Sequence, residues 1–329
     1  MQTTYDVIVI GGSYAGMAGA LQLARGRRTV AVIDAGIRRN RFAAHSHGLL
    51  GQDGKSPSAI ADEAKAQLLK YPSVTWIDGS ALAAEKTGDL FTVTTADHNT
   101  LRGKRLLLAT GVSDHLPAIT GLQDRWGTSV FHCPYCHGYE LNQGPLGVLA
   151  VSEASIHQAL LIPDWGPTTL FTNNCFTPDE LQLKQLAARH VRLETEAVTE
   201  ITGEQAAVVK LANGRLVELA GLFVASLTKP ASPIAQDLGC ELAESPVGFY
   251  VKTDDFKQTS IPGVFACGDL GRAMGSVTFA IGDGAQAGGG VALPVGHVAG
   301  TAGTGSGGAT DRGRGVAGGL GRLRLAHQG

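Results

Sequence analysis

Cys133-Pro134-Tyr135-Cys136-His137 is the tightest concentration of reactive groups in the chain. Two thiols three positions apart can close a small disulfide ring, and Pro134 between them stiffens the turn that presents them. His137 follows the second thiol directly. An imidazole with an ordinary pKa near ~6.5 can take a proton from a thiol near ~8.5, which favours thiolate. The segment therefore reads as a redox centre with Cys133, Cys136 and His137 as its working groups. The competing reading is zinc, because His132, Cys133, Cys136 and His137 are all ligand types for it. Each histidine abuts a cysteine, which strains ligation by all four, and no second Cys-x-x-Cys completes a site, so no metal is expected. A purely structural disulfide is weaker still, since so short a ring restrains the unfolded chain little.

The elements around the motif form the frame that has to position it. Residues 5–34 read as strand (5–10), glycine turn (Gly11-Gly12-Ser13-Tyr14-Ala15-Gly16), helix to about Gly26, and strand (29–34). This is a dinucleotide-binding unit: the glycines let backbone amides approach a pyrophosphate at the helix start, and Asp34 can accept from ribose hydroxyls. Ser13 stands where the fingerprint has its second glycine, yet is small and can donate to phosphate. The loop 37–54, with Asn40, is polar and glycine-punctuated, as a segment wrapping a cofactor would be and as a solvated loop would be. His45 and His47 within it lack a third ligand for a metal. A helix is predicted over 58–69, and the alternating runs 74–77 and 90–94 predict a small antiparallel ribbon. The apolar run 105–111 then closes the first unit.

Residues 146–151, 155–161 and 168–172 predict a second strand–helix–strand unit. Its turn, Ala150-Val151-Ser152-Glu153-Ala154-Ser155, contains no glycine, and Glu153 would oppose a phosphate at the helix entrance. The segment 170–175 lacks both a ribose-binding acid and an arginine cluster. The unit therefore reads as a nucleotide-binding fold without its ligand contacts. Further on, a strand over 263–266 stops at Gly268-Asp269, and a helix over 276–287 follows, placing an aspartate and a helix start where a cofactor could meet them. From Gly288 onward the chain is glycine-rich, poor in large apolar residues and basic through Arg312, Arg314, Arg322 and Arg324. That composition predicts disorder, and its abrupt onset suggests a segment foreign to the fold.

A chain of 329 residues that is 43% hydrophobic suits two domains with sizeable cores. Its formal charge of -2 offers no surplus for nucleic acid or anionic lipid. No apolar run is long enough to span a bilayer and no signal peptide is evident, so a cytoplasmic location is the default. Five cysteines with one close pair suit a reducing compartment, with Cys175, Cys240 and Cys267 as small buried residues.

Taken in order, Gly11 to Gly16, Ala109-Thr110-Gly111, Cys133/Cys136 and Gly268-Asp269 resemble low-molecular-weight thioredoxin reductases over about residues 4–287. The resemblance implies an α/β chain with two Rossmann-like (three-layer) nucleotide-binding domains. A discontinuous FAD domain would span 1–117 and 247–287, an NAD(P)-binding-like domain carrying the Cys-x-x-Cys would span 118–246, and a tail would cover 288–329. It also implies a homodimer. Gly11, Gly12, Ser13, Ala15, Gly16, Asp34 and Asn40 would hold FAD, together with Ala109, Gly111, Gly268, Asp269 and Val277. Cys136 would be the flavin-proximal thiol and Cys133 the one that exchanges with substrate. The chain departs from that family at His137, where an acid is usual, and at the missing NADPH glycines and arginines. In both respects Cys-Pro-Tyr-Cys-His-Gly-Tyr-Glu is similar to the FAD-dependent dithiol oxidases of gliotoxin- and holomycin-type pathways. This branch implies a small dithiol or dithiol peptide as substrate, oxygen as acceptor, and no use of NADPH. Two alternatives stay open: an NADPH- or ferredoxin-linked disulfide reductase, and a flavin-binding protein without turnover.

Overall fold

Strand β1 (Thr4–Ile10) leads through a glycine turn into α1 (Tyr14–Arg25) and out to β2 (Val30–Asp34). The strand residues alternate between two cores, Val7 and Val9 on one face and Ile8 and Ile10 on the other, as a strand buried on both sides must. α2 (Pro57–Leu68) starts on a serine cap, Ser56 Oγ accepting from Ala59 N at 3.2 Å with Pro57 in the first turn. Next come β3 (Val74–Asp78), β4 (Ala81–Thr87), β5 (Leu90–Thr95) and β6 (Thr100–Leu108). In the computed structural model, which describes residues 3–292, these strands make a sheet of order β3-β2-β1-β6-β5-β4.

The expected ribbon of 74–77 with 90–94 does not form. β3 instead adds in parallel to the edge of β2, in the register Val30↔Val74 to Asp34↔Asp78, while β5 pairs with β4 and β6. Alternation shows which face of a strand is buried but not its partner, and α2 supplies the crossover that a parallel pairing needs.

After β6 the chain leaves this sheet through β7 (Val112–His115). It then forms β8 (Val130–Phe131), α3 (Pro134–His137), β9 (Leu146–Leu149), α4 (Ser155–Leu161), β10 (Thr168–Phe171), α5 (Glu180–Ala188) and β11 (Arg192–Glu194). β12 (Val198–Thr202), β13 (Ala207–Leu211) and β14 (Leu216–Leu219) make an antiparallel meander, followed by β15 (Gly221–Val224). The order β11-β10-β9-β15-β8 is a second sheet, parallel throughout, with cores on both faces. The chain returns through β16 (Leu227–Pro230), which pairs antiparallel with β7. α6 (Ile234–Asp237), β17 (Leu242–Ser245) and β18 (Gly248–Val251) follow. β19 (Val264–Ala266) then rejoins the first sheet, parallel to the C-terminal half of β6. The reading of an α/β chain with two Rossmann-like units thus holds.

α7 (Val277–Ala292) packs across α1 through glycines. A Cβ on Gly284 would lie 2.0 Å from Ala15 O, and one on Gly288 would lie 2.5 Å from Gly19 O. Arg105 donates to the Val291 carbonyl in the last turn of α7. The expected start of the tail is therefore corrected: Gly288 to Ala292 belong to α7, where Gly288 lets the helix close on α1 and Gly290 lets it close on the Phe256 backbone. The rest of that expected tail lies outside the described residues. Gly284→Ala gains roughly 1 kcal/mol of helix propensity but forces a methyl onto backbone that cannot yield. A net loss of about 2 kcal/mol is expected, read as a lower urea midpoint.

Candidate active site

The turn after β1 is built for close approach. Gly11 has φ +102, and a Cβ there would lie 2.3 Å from Ala109 O. A Cβ on Gly16 would lie 1.8 Å from Gly11 O, and one on Gly12 would meet Trp76 and Asp34 at 2.5 and 2.6 Å. Gly12 N donates to Asp34 Oδ1 at 3.1 Å, so the acid at the end of β2 is held against the turn. Ser13 caps α1 with no side-chain hydrogen bond, leaving its hydroxyl available at the positive end of the helix.

A cleft of about 430 Å³ opens beside this turn. Ser13, Ala15, Asn40, Ala109 and Gly111 line it from the first sheet and its loops, and Gly268, Asp269 and Val277 from the returning segment. Cys133, Cys136 and His137 close it from the second sheet's side. Gly11, Gly12 and Gly16 of the turn, and Asp34 at the end of β2, stand just outside this lining. Among the described residues, four buried polar atoms of cleft residues have no partner: Arg38 Nε, Asn40 Oδ1, Ser46 Oγ and His132 Nδ1. Asn40 is oriented by its own Nδ2, which donates to Tyr14 Oη at 3.3 Å. Orphaned polar atoms around a glycine-framed hollow fit a large polar cofactor, because each would otherwise carry an uncompensated desolvation cost.

The redox pair sits at the start of α3, with Cys133 extended as its cap and Pro134 in its first turn. Gly138 ends the turn directly against Trp165, where a Cβ would lie 2.6 Å from the indole. The two sulfurs are free thiols 2.7 Å apart. Cys136 S–H donates to Cys133, and this bond, against the effect of burial and with help from the Cys136 and Tyr135 N–H groups and Arg39, lowers the Cys133 thiol to about 7. Cys136, as the donor beside that charge and buried as well, is pushed up instead. His137 stacks on Phe131 with ring centroids 4.4 Å apart. Burial drives its pKa down to about 4, with Glu140 pulling it up and His47 pushing it lower. The ordinary imidazole value expected from the sequence is thereby corrected: His137 is neutral at neutral pH.

Arg39 is the residue that sequence reasoning missed. Its Nε and Nη2 grip Asp114 of β7 at 2.9 and 2.6 Å, and its Nη1 holds Asp269 at 2.8 Å. Ser226, just before β16, donates to the same Asp114 at 2.6 Å. One guanidinium thus ties the loop after β2 to a crossing strand and to the Gly268-Asp269 turn. No local signal marks it, because its partners are 75 and 230 positions away in sequence. Burial alone would raise the Asp114 carboxyl, but the Arg39 bonds and charge outweigh it and hold it below the usual range.

The chain matches the family described as pyridine nucleotide-disulphide oxidoreductase over residues 5–160 and 178–284. It belongs to that family. It is 32% identical to thioredoxin reductase tcpT of Claviceps purpurea, over 84% of this chain and 89% of that protein. Among solved structures, an oxidoreductase from Agrobacterium tumefaciens is 50% identical with TM-score 0.85, covering 88% of this chain and 97% of that one. A second, HlmI, is 34% identical with TM-score 0.83, covering 88% and 93%. The chain is therefore a flavoprotein oxidoreductase of thioredoxin reductase-like fold, and family membership implies FAD.

In this family member the second unit's turn is closed on itself. Ser155 Oγ accepts from Val151 N at 3.1 Å, and Glu153 is held at the turn by Gln182 Nε2 at 2.8 Å. Asn173 and Asn174 follow β10 with positive φ, and Asn173 Oδ1 accepts from Val198 N at 2.9 Å. Among the described residues no helix is long and apolar enough to cross a membrane, and no three His, Cys, Asp or Glu groups gather as a metal site.

Proposed function

We propose that the protein is an FAD-dependent dithiol oxidase, closing a disulfide in a small dithiol or dithiol peptide through Cys133 and Cys136, with oxygen as terminal acceptor. The observation that carries this reading is the contrast between the two turns. The first is a glycine cradle with orphaned polar atoms beside the redox pair, while the second has its turn amide taken by Ser155 and a carboxylate at its helix entrance. Electrons are then supplied by the thiol substrate rather than by NADPH.

In this assignment residues 1–117 with 247–292 hold FAD, and 118–246 form an NAD(P)-binding-like part that presents the cysteines. Gly11, Gly12, Ser13, Ala15 and Gly16 take the pyrophosphate, and Asp34 a ribose. Asn40, Ala109, Gly111, Gly268, Asp269 and Val277 line the remainder. When bound, FAD supplies a two-electron acceptor for the reduced cysteines, with oxygen taking the pair onward to peroxide. The chain's own part is thiol exchange. A substrate thiolate attacks Cys133 Sγ and releases Cys136. The second substrate thiol then resolves the mixed disulfide by expelling Cys133, whose lowered pKa makes it the better leaving group. His137, stacked on Phe131 and neutral, lines the cleft beside the pair.

Anaerobic mixing tests this. Bleaching of the flavin's visible absorbance by dithiothreitol, reversed by air and not produced by NADPH, is the expected result. Rapid bleaching by NADPH would establish the second reading, a reductase, which the relatives named thioredoxin reductases favour.

A further inference from the structure

Exchange of a dithiol with the Cys133–Cys136 disulfide must dispose of the substrate's thiol protons. His137 is poorly placed to keep one, being buried on Phe131. A second imidazole lines the same cleft: His47, from the loop between β2 and α2. Its Nε2 stands 3.5 Å from Glu140 Oε1, on the segment that follows the cysteines, and its Nδ1 stands 3.6 Å from Asp53 Oδ2. Its side chain is 21% exposed, whereas Glu140 and Asp53 are 45% and 66% exposed. The ring thus joins the cleft to two carboxylates that open onto water. The loop holds it there by Gly48 N donating to Asp53 Oδ1 at 2.7 Å and Thr278 Oγ1 donating to Gly48 O at 3.1 Å. The other groups facing it are His137, which feels its charge, and His45, whose ring lies 6.3 Å away and is engaged with Gly54 O.

We propose that His47 is the proton carrier of the thiol chemistry, taking the proton of the incoming substrate thiol and releasing it to solvent past Glu140 and Asp53. This rests on the dithiol reading above. The substrate S–H proton moves to the His47 ring, and the thiolate forms a bond to Cys133 Sγ as the Cys133–Cys136 bond breaks. The electron pair of that bond stays on Cys136. His47 opens to water through both carboxylates, whereas His137 lies buried in its stack on Phe131.

The test is the rate at which dithiothreitol reduces the oxidised pair in a single anaerobic turnover of the FAD-loaded full chain, followed from about pH 5 to 9. His47→Gln is expected to slow reduction by roughly 100-fold at neutral pH. The deficit should shrink as dithiothreitol ionises by itself at high pH, and added imidazole should restore the rate. Glu140→Gln should give a smaller loss of the same pH shape. A His47→Gln rate equal to the parent's at every pH would overturn the proposal. So would a loss that neither varies with pH nor responds to imidazole, which marks a loop anchor only. If dithiothreitol fails to reduce the pair in the unmodified protein at any pH, the dithiol reading itself falls, and this inference with it.

Discussion

Cys136→Ala is expected to abolish dithiol turnover, by at least roughly a thousandfold, and at the same time to slow alkylation of Cys133 by iodoacetamide about tenfold at neutral pH. The first effect follows from the lost disulfide partner. The second distinguishes the arrangement seen here from two independent thiols. Cys133 is lowered to about 7 chiefly because the Cys136 S–H donates to it, with backbone N–H groups of Tyr135 and Cys136 and the Arg39 charge adding to that bond. Removing the donor lets burial act on Cys133 unopposed by its largest compensating interaction, so its pKa rises toward the free-thiol value near ~8.5 and the thiolate fraction falls. The reverse variant, Cys133→Ala, should abolish turnover equally; it removes the bond and charge of Cys133 that raise Cys136 most and leaves burial, so Cys136 should alkylate faster than in the parent while staying slower than an exposed thiol. Pseudo-first-order alkylation followed by mass spectrometry separates the cases. A Cys133 rate unchanged by loss of Cys136, and a Cys136 rate unchanged by loss of Cys133, would show that the sulfurs do not share a proton.

Several features of the site are local in sequence and therefore readable from it. Gly11, Gly12 and Gly16 announce a turn without room for side chains, and the structure shows why, with their missing Cβ atoms facing Ala109, Asp34 and Gly11 backbone or side-chain atoms. The second turn is equally explicit: Ser152 to Ser155 lacks glycine, and α4 begins at Ser155 as its pattern predicts. Partnership is what the sequence hides. Val74 to Ile77 alternates like any strand, and only α2 in place reveals that it joins β2 in parallel. Gly288 looks like the first residue of a low-complexity tail until Gly19 is set opposite it. The chemistry of His137 depends on Phe131 and on its burial, neither of which its position beside Cys136 conveys. Arg39 stands in a polar loop that reads as solvent-facing, and its meaning resides in two carboxylates that the fold delivers from far along the chain.

Arg39→Met should be the most destabilising single change at the site, costing about 3 kcal/mol at neutral pH in urea unfolding. The methionine keeps much of the stem's packing, so the loss reports the charge. Asp114 is only 11% exposed and Asp269 19% exposed, and each would be left without its principal cation. Asp114 retains the Ser226 hydroxyl, which is why the expected cost is moderate rather than extreme. The pH dependence has a definite sign. In the parent, the Asp114 carboxyl is held below its unfolded value near ~3.9, so its contribution is complete above that value and is lost as pH falls through the lower folded pKa. In the variant the same carboxyl is buried without its partner, its pKa rises, and protonation relieves the strain on the way down from neutrality. The stability gap between the two proteins should therefore narrow steadily toward about pH 4, where the variant's Asp114 is neutral. Adding Asp114→Asn to Arg39→Met should recover part of the loss, giving a coupling between the two positions of about 1 kcal/mol or more. Because Arg39 also favours the thiolate form of both cysteines, the single variant should slow Cys133 alkylation at neutral pH as well. A gap that stays constant with pH, combined with additive effects at positions 39 and 114, would mean that the guanidinium contributes packing alone and does not govern the charge of the cleft.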